Sequence, residues 1–291
     1  MRRRRSRHGW TGGAFLAPAL SFLLLLTAFP LLYSLWASFT NLRLTSPVWQ
    51  YVGFAGYLQT LANGVFRHSL QVTIVFLFAA VAAEFVLGFA LALSFKAMRR
   101  NHPLLRALLM LPVMATPVSV GLVWKLMLND DFGIIPHVSE VMGFGRMQWL
   151  SDPNMAVFSI ILMDIWQWTP FMFLILLAGL EGLPPDLFEA AEIDGAKCHH
   201  VFFGITLPLM ARIVVVVLTF RVMFAIATFD SVFVLTKGGP ALATDLVTLF
   251  IQREGLVNLN VASASAASFL VLILVFAAAR AFFKKGFAHG Y

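Results

Sequence analysis

Long apolar stretches separated by short polar segments dominate the chain. A membrane-spanning helix needs about 20 apolar residues at a rise of ~1.5 Å each. Six stretches are long enough, at roughly 14–39, 69–95, 104–128, 155–180, 208–235 and 260–283. The pattern predicts an all-α polytopic membrane protein with six transmembrane helices.

The first apolar stretch follows a run of arginines, as the core of a secretory signal would. Signal cores are only ~7–15 residues long, whereas this stretch is much longer. Leu35 and Ala37 also match a small-x-small cleavage site poorly. We therefore expect an uncleaved first span.

The predicted outer connections, 40–68, 129–154 and 236–259, contain Trp, Tyr, Gly and Pro residues. We expect short surface helices in them. Ser151-Asp152-Pro153 resembles a helix cap followed by a first-turn proline, which predicts the start of the fourth span.

Composition supports this assignment, because the chain is 60 % hydrophobic and only 12 % charged. Soluble domains carry about 25 % charged residues. An ordinary soluble enzyme and a disordered chain are therefore excluded.

The net charge of +7 is arranged as in an oriented membrane protein. With a cytoplasmic N-terminus, fourteen of the 21 Lys and Arg residues lie inside and six outside. This positive-inside bias predicts that both termini are cytoplasmic. It favours the lipid bilayer as a partner and argues against nucleic acid. We expect one transmembrane domain over 14–283, between a basic tail at 1–13 and a second tail at 284–291.

Metal chemistry has little support in the sequence. Cys198 is the one cysteine, which excludes an internal disulfide framework and a zinc site built from several cysteines of this chain. His199 and His200 have no third ligand nearby. We predict no metal site and no catalytic residue.

Four charged side chains lie inside predicted spans, where each costs about 2.5–3.5 kcal/mol to insert. They are Glu84, Asp164, Arg221 and Asp230. Asp164 and Arg221 both fall near the midplane, so we expect them to pair or to face one polar cavity. Glu84 suits an interhelical hydrogen bond, and Asp230 an anion at the outer surface.

Asp164, Gln167 and Trp168 share one helical face through their i, i+3, i+4 spacing. Carbohydrate recognition uses hydrogen-bonding side chains beside aromatic rings. We therefore hypothesise that these three residues and Arg221 line a substrate pathway. The alternative is that the polar side chains join helices and that Trp168 belongs to an interfacial belt.

The segment between the fourth and fifth spans predicts a short cytoplasmic helix. Pro184 and Pro185 suit a helix start, and Gly195 suits the left-handed residue beyond its end. An apolar face is formed by Leu187, Phe188, Ala190 and Ala191. This face docks either on another protein or on the bundle itself, and the residues alone leave both open.

This segment also carries a motif, Glu189-Ala190-Ala191-x-x-Asp194-Gly195-Ala196, followed by Phe202 and Ile205-Thr206-Leu207-Pro208. It resembles the signature loop of ABC-importer permease subunits. The resemblance implies the type I importer architecture and a coupling loop at about 181–207 that docks on a cytoplasmic ATPase. Its coupling positions here are Glu189, Ala190, Ala191, Asp194, Gly195 and Ala196.

The resemblance extends along most of the chain, which is similar to carbohydrate and polyol permeases of the maltose type. The segments that carry it are Val52-Gly53-Phe54-x-x-Tyr57, Trp149-Leu150-Ser151-Asp152-Pro153, Asp164-Ile165-Trp166-Gln167-Trp168-Thr169-Pro170-Phe171, Ala178-Gly179-Leu180, Phe229-Asp230 and Leu235-Thr236-Lys237-Gly238-Gly239-Pro240. It implies a bacterial or archaeal cytoplasmic membrane. The implied partners are a second permease subunit, two copies of an ATPase and an extracytoplasmic solute-binding protein.

The sequence contains no phosphate-binding loop, so ATP and Mg are expected on the partner ATPase and no cofactor on this chain. One alternative keeps the machinery but changes the cargo to glycerol-3-phosphate. A secondary transporter would show inverted repeats, and none is evident. An intramembrane enzyme would need a motif such as His-Glu-x-x-His or Gly-x-Ser-x-Gly, and neither is present.

Overall fold

The computed structural model describes residues 8–46, 48–98 and 103–288. Two π-helical turns, Phe202–Thr206 and Arg253–Val257, accompany thirteen α-helices in the described part. The helices are α1 His8–Ser38, α2 Ala55–Ala62, α3 Gly64–Ala97, α4 Pro103–Met114, α5 Pro117–Met127, α6 Ile134–Val141, α7 Pro153–Glu181, α8 Asp186–Ile193, α9 Cys198–Val201, α10 Leu207–Ile226, α11 Asp230–Thr236, α12 Val247–Gln252 and α13 Val261–Ala288.

The all-helical membrane architecture is confirmed. Four helical segments of the described chain are long and apolar enough to cross a membrane: Leu16–Ser38, Gly64–Ala97, Pro153–Glu181 and Cys198–Ile226. The pair α4 and α5 makes a fifth if it is counted as one span. A further apolar helix covers Val261–Ala277. The count of six spans and the side of each terminus stay predictions. Arg2–Arg5, Arg7, Arg99 and Arg100, on which the predicted orientation partly rests, lie outside the described residues.

The chain forms two compact units. The first contains the described residues through Asn63 together with Ile251–Val271. In it, the backbone N–H of Leu44 donates to Leu259 O at 2.8 Å, and that of Ala262 donates to Leu42 O at 3.0 Å. The most apolar part of Leu16–Ser38 contains no buried residue. Its side chains therefore suit contact with lipid or with another membrane helix.

The second unit contains Gly64–Phe250 and the described residues from Leu272 onward. Its core lies between α3 and α7, where Phe76, Phe173 and Met172 are fully buried. At Gly88 the two helices approach so closely that a Cβ atom would lie 2.6 Å from Met172 Cβ. Small residues allow such close backbone approach between membrane helices.

The third apolar stretch, predicted as one span over 104–128, is broken. Helices α4 and α5 meet at a bend of 92°. Thr116 has an extended backbone, with φ −66° and ψ 141°, and Pro117 follows it. The ring of a proline disfavours the helical conformation of the residue before it, which explains the break.

The fifth stretch, predicted over 208–235, also ends early. Helix α10 stops at Ile226, and α11 begins at Asp230. Phe229, with φ −138° and ψ −61°, is not helical and separates the two. Asp230 lies in the first turn of α11, where its negative charge suits the helix dipole.

Two local predictions are confirmed. The Asp152 side chain caps α7 by accepting hydrogen bonds from the backbone N–H groups of Asn154 and Met155, and Pro153 is the first helical residue. The connections that were predicted to be outer contain the short helices α2, α6 and α12.

Candidate functional site

Three charged side chains from three helices meet in the core of the second unit. Arg221 on α10 donates from Nε to Glu84 Oε2 at 2.5 Å and from Nη2 to Glu84 Oε1 at 2.8 Å. Its Nη2 also donates to Asp164 Oδ2. The exposed fraction of each side chain is 1 % or less. We call Glu84, Asp164 and Arg221 the charge cluster.

The charge cluster joins α3, α7 and α10 by side-chain bonds. Removing one partner of a buried ion pair costs about 3–5 kcal/mol, because the remaining charge stays buried without compensation. The expected pairing of Asp164 with Arg221 is confirmed. Glu84 makes the expected interhelical hydrogen bond, and with two contacts to Arg221 it is the principal partner.

Two predicted pathway residues flank the charge cluster. Arg221 Cζ lies 5.2 Å from the centre of the Trp168 ring, which also stacks on Phe224 at 5.6 Å. Gln167 Nε2 donates to the carbonyl oxygen of Ala115 at 3.4 Å. Ala115 stands at the bend between α4 and α5, where helical hydrogen bonding is interrupted, so the amide of Gln167 satisfies a carbonyl group that the break exposes.

Gln167 and Trp168 also line a small cavity of about 130 Å³. It lies where the start of α5, the middle of α7 and the break between α10 and α11 meet. Its other lining residues are Pro117, Phe224, Ala227, Thr228, Phe229, Asp230 and Ser231. The cavity combines an amide, a carboxylate and hydroxyl groups with aromatic rings, a combination that suits a polyhydroxylated ligand.

The four predicted pathway residues thus divide into two pairs. Gln167 and Trp168 line the cavity, whereas Asp164 and Arg221 bond to each other and to Glu84 in the core. Asp230, expected as an anion at the outer surface, lines the cavity as well. Asp230 lies at the cavity because the non-helical residue Phe229 precedes it. Hydropathy does not detect such a break in a helix.

The coupling segment, residues 181–207, contains a short helix with the predicted start and end. Helix α8 begins after Pro185, and Gly195 has φ +67°, the left-handed conformation that ends a helix. Ala191 is buried, while the other predicted coupling positions, Glu189, Ala190, Asp194, Gly195 and Ala196, are exposed. The apolar side chains Leu187 and Ile193 are 44 % and 86 % exposed.

Several side-chain contacts connect the coupling segment to the bundle. Lys96 Nζ lies 4.1 Å from the centre of the Phe188 ring. The rings of Phe89 and Phe202 meet edge to face at 5.3 Å. Arg106 Nη2 forms an ion pair of 2.8 Å with Glu181 Oε1. No local sequence pattern predicts these contacts, because each joins residues far apart in the chain.

Residues 84–289 match the protein family described as binding-protein-dependent transport system inner membrane component. The chain belongs to this family. It is therefore an integral inner-membrane component of a transport system that depends on a binding protein, and not an enzyme. The matched residues include both the charge cluster and the coupling segment.

Relatives of known name agree with this membership. The trehalose/maltose transport system permease protein MalF of Thermococcus litoralis is 34 % identical over 93 % of this chain and 92 % of its own length. The sulfoquinovosyl glycerol transport system permease protein SmoG of Agrobacterium fabrum is 32 % identical over 89 % and 84 %. The sn-glycerol-3-phosphate transport system permease protein UgpA of the same organism is 31 % identical over 78 % of each chain.

Two solved structures share the fold. A chain of a bacterial ABC transporter involved in the import of the acidic polysaccharide alginate superposes with a TM-score of 0.84, at 20 % identity over 96 % of both chains. A chain of a bacterial alginate ABC transporter in complex with an alginate pentasaccharide-bound periplasmic protein gives 0.82, at 21 % identity over 95 % of this chain and 93 % of that one. The arrangement of helices is thus that of an ABC importer permease.

Proposed function

We propose that the chain is one permease subunit of an ATP-driven ABC importer for a carbohydrate or polyol. An extracytoplasmic binding protein delivers the solute to a heterodimer of this chain and a second permease subunit. Two copies of a cytoplasmic ATPase bind ATP and Mg and drive transport, and this chain binds no cofactor. The membrane is the cytoplasmic membrane of a bacterium or archaeon, with both termini inside.

The observation that carries this proposal is helix α8. It presents Leu187 and Ile193 to the surroundings together with the exposed acidic side chains of Asp186, Glu189 and Glu192, and Asp194 at its C-cap is exposed as well. An exposed helix with apolar and charged residues in this arrangement is suited to insertion into a groove of another protein. The names of the relatives MalF and SmoG support a carbohydrate or a sugar derivative as the cargo.

We propose that the solute path passes Gln167 and Trp168. Both line the small cavity, and Trp168 offers a flat face for stacking against a sugar ring. Asp164 and Arg221 act beside the path by holding α7 and α10 in register, because their charges are used within the charge cluster.

Glycerol-3-phosphate is the second candidate cargo, favoured by the similarity to UgpA. A phosphate group calls for cationic side chains along the path. Arg221, the buried cation of the cluster, already faces two carboxylates. This balance of charge favours a neutral solute over an anionic one.

The first experiment is purification of the tagged chain from native membranes, followed by mass spectrometry of what remains bound. We expect an ATPase with a phosphate-binding loop and a second permease in fixed proportion. The solute is then identified by screening sugars, polyols and glycerol-3-phosphate against the co-encoded or co-purified binding protein. Recovery of the chain alone, under conditions that preserve a known importer, would contradict the proposal.

A matched pair of substitutions tests the role of α8. Glu189→Ala and Glu192→Ala each remove one exposed carboxylate from the same helix, but only Glu189 belongs to the matched motif. We expect Glu189→Ala to lower the amount of ATPase that co-purifies and Glu192→Ala to leave it close to that of the wild type. Equal losses in both variants would indicate nonspecific electrostatic attraction instead of a defined docking position.

A further inference from the structure

Helix α3 presents one continuous stripe of side chains near its C-terminal end. The stripe consists of Phe85, Phe89, Ala92 and Lys96, at successive spacings of four, three and four residues. Residues at these spacings lie on the same face of an α-helix. Lys96 stands in the last turn, where a positive charge is favoured by the helix dipole.

Both halves of the coupling segment contact this stripe. In the first half, the ring of Phe188 on α8 lies under Lys96 Nζ, 4.1 Å from the ring centre. In the second half, Phe202 in the π-helical turn packs edge to face on Phe89 at 5.3 Å. Phe85 supports Phe89 from the preceding turn at 5.6 Å. The coupling segment therefore contacts one helix at two heights.

The contact through Phe188 carries particular weight because α8 is otherwise largely exposed. Of its eight residues, Ala191 is buried and Phe188 is half-buried, while the remaining six are exposed. Alanine offers little surface to push against. Among the described contacts, the one between the Phe188 ring and the Lys96 ammonium group joins α8 to α3.

Helix α3 is firmly joined to the centre of the unit. Its Gly88 lies against Met172 of α7, so closely that no Cβ would fit without a shift. One turn away, Glu84 binds Arg221 of α10. Close-packed helices transmit displacement because their interfaces deform little. A push on the end of α3 therefore reaches the charge cluster and the helix that carries Gln167 and Trp168.

We propose that α3 receives the movement of the coupling segment, and that Lys96 is the positioning residue that links α8 to α3 by its contact with Phe188. The proposal rests on the proposed function, because it requires that an ATPase moves α8. A cation over an aromatic ring is suited to this task, since the ring quadrupole attracts the positive charge.

The test uses the complete importer, with its ATPase, second permease and binding protein, in proteoliposomes. The variants are Lys96→Met, Lys96→Arg, Phe188→Leu and the double variant Lys96→Met/Phe188→Leu. The readout is the number of solute molecules imported per ATP hydrolysed. We expect Lys96→Met to lower this ratio about two- to fivefold, the factor that corresponds to one exposed cation–π contact. Lys96→Arg keeps the positive charge at this position and should therefore keep the wild-type ratio.

The double variant and a control decide the interpretation. If the two side chains act through each other, the double variant is no worse than either single one. Lys125→Met, the same substitution in the last turn of α5, should leave the ratio unchanged. The proposal is overturned if Lys96→Met keeps the wild-type ratio, if it lowers transport and hydrolysis in equal proportion, or if the single effects add. A wild-type complex that shows no ATP-dependent import would instead overturn the proposed function.

Discussion

The charge cluster buries its polar side chains, whereas helix α8 exposes them. In the cluster, Glu84, Asp164 and Arg221 are 1 % exposed or less and bond to one another. In α8, the acidic side chains are exposed, and Ile193 presents 86 % of its surface. Both regions stand out in the sequence, one because charge is rare in a span and the other because of its motif.

The difference separates a structural task from a docking task. The charges of the cluster bond to one another within the core, so the cluster fixes the relative positions of α3, α7 and α10. An exposed helix with apolar side chains is incomplete by itself and calls for a partner. Substitutions in the cluster should therefore reduce stability, whereas substitutions of the exposed side chains of α8 should spare stability and reduce assembly.

Removal of the Arg221 guanidinium group is expected to have the largest effect on stability. Arg221→Met leaves two buried carboxylates without a counter-charge, which we expect to lower the free energy of unfolding by about 3–5 kcal/mol. The measurement is the thermal unfolding midpoint of the detergent-solubilised complex, together with the yield of monodisperse protein.

Arg280→Met is the control for that variant. Arg280 lies on α13 and is exposed. Surface substitutions usually change stability by less than about 0.5 kcal/mol. Equal losses in the two variants would show that the cluster contributes nothing beyond an ordinary surface arginine.

The two carboxylates of the cluster give a finer comparison. Glu84 accepts two hydrogen bonds from Arg221 and Asp164 accepts one. A hydrogen bond to a charged group contributes about 1.5–3 kcal/mol. We expect Glu84→Gln to lower the unfolding midpoint more than Asp164→Asn. The reverse order would mean that Asp164 is the principal partner of Arg221.

Much of this arrangement could be predicted from the sequence. The spans follow from apolar length, the start of α7 from Asp152 and Pro153, and the end of α8 from Gly195. The pairing of Asp164 with Arg221 followed from their similar depth, because charges near the midplane need partners.

The remaining features depend on the direction that the chain takes in space, which hydropathy does not encode. The stretch 104–128 is predominantly apolar, yet the chain turns by 92° within it at Thr116. Asp230 lines the small cavity because α10 stops at Ile226, an interruption without proline or glycine in Ala227–Phe229. The contact of Lys96 with Phe188 joins residues far apart in the chain, so no local pattern indicates it.

The smallest change in stability is expected at the end of the exposed helix. Gly195 has φ +67°, and nothing lies within 4 Å of the position of an added Cβ atom. Gly195→Ala therefore strains only its own backbone, by about 1–2 kcal/mol for a left-handed residue.

Because this strain falls on the coupling segment and not on the packed core, the thermal midpoint of the bundle should stay within the error of measurement while the amount of co-purified ATPase falls. Gly182→Ala is the matched control, since Gly182 is also exposed but has φ −84°, which alanine adopts freely. If Gly195→Ala lowered the midpoint as much as Glu84→Gln does, the coupling segment would belong to the stable core, and the division between a structural and a docking region would fail.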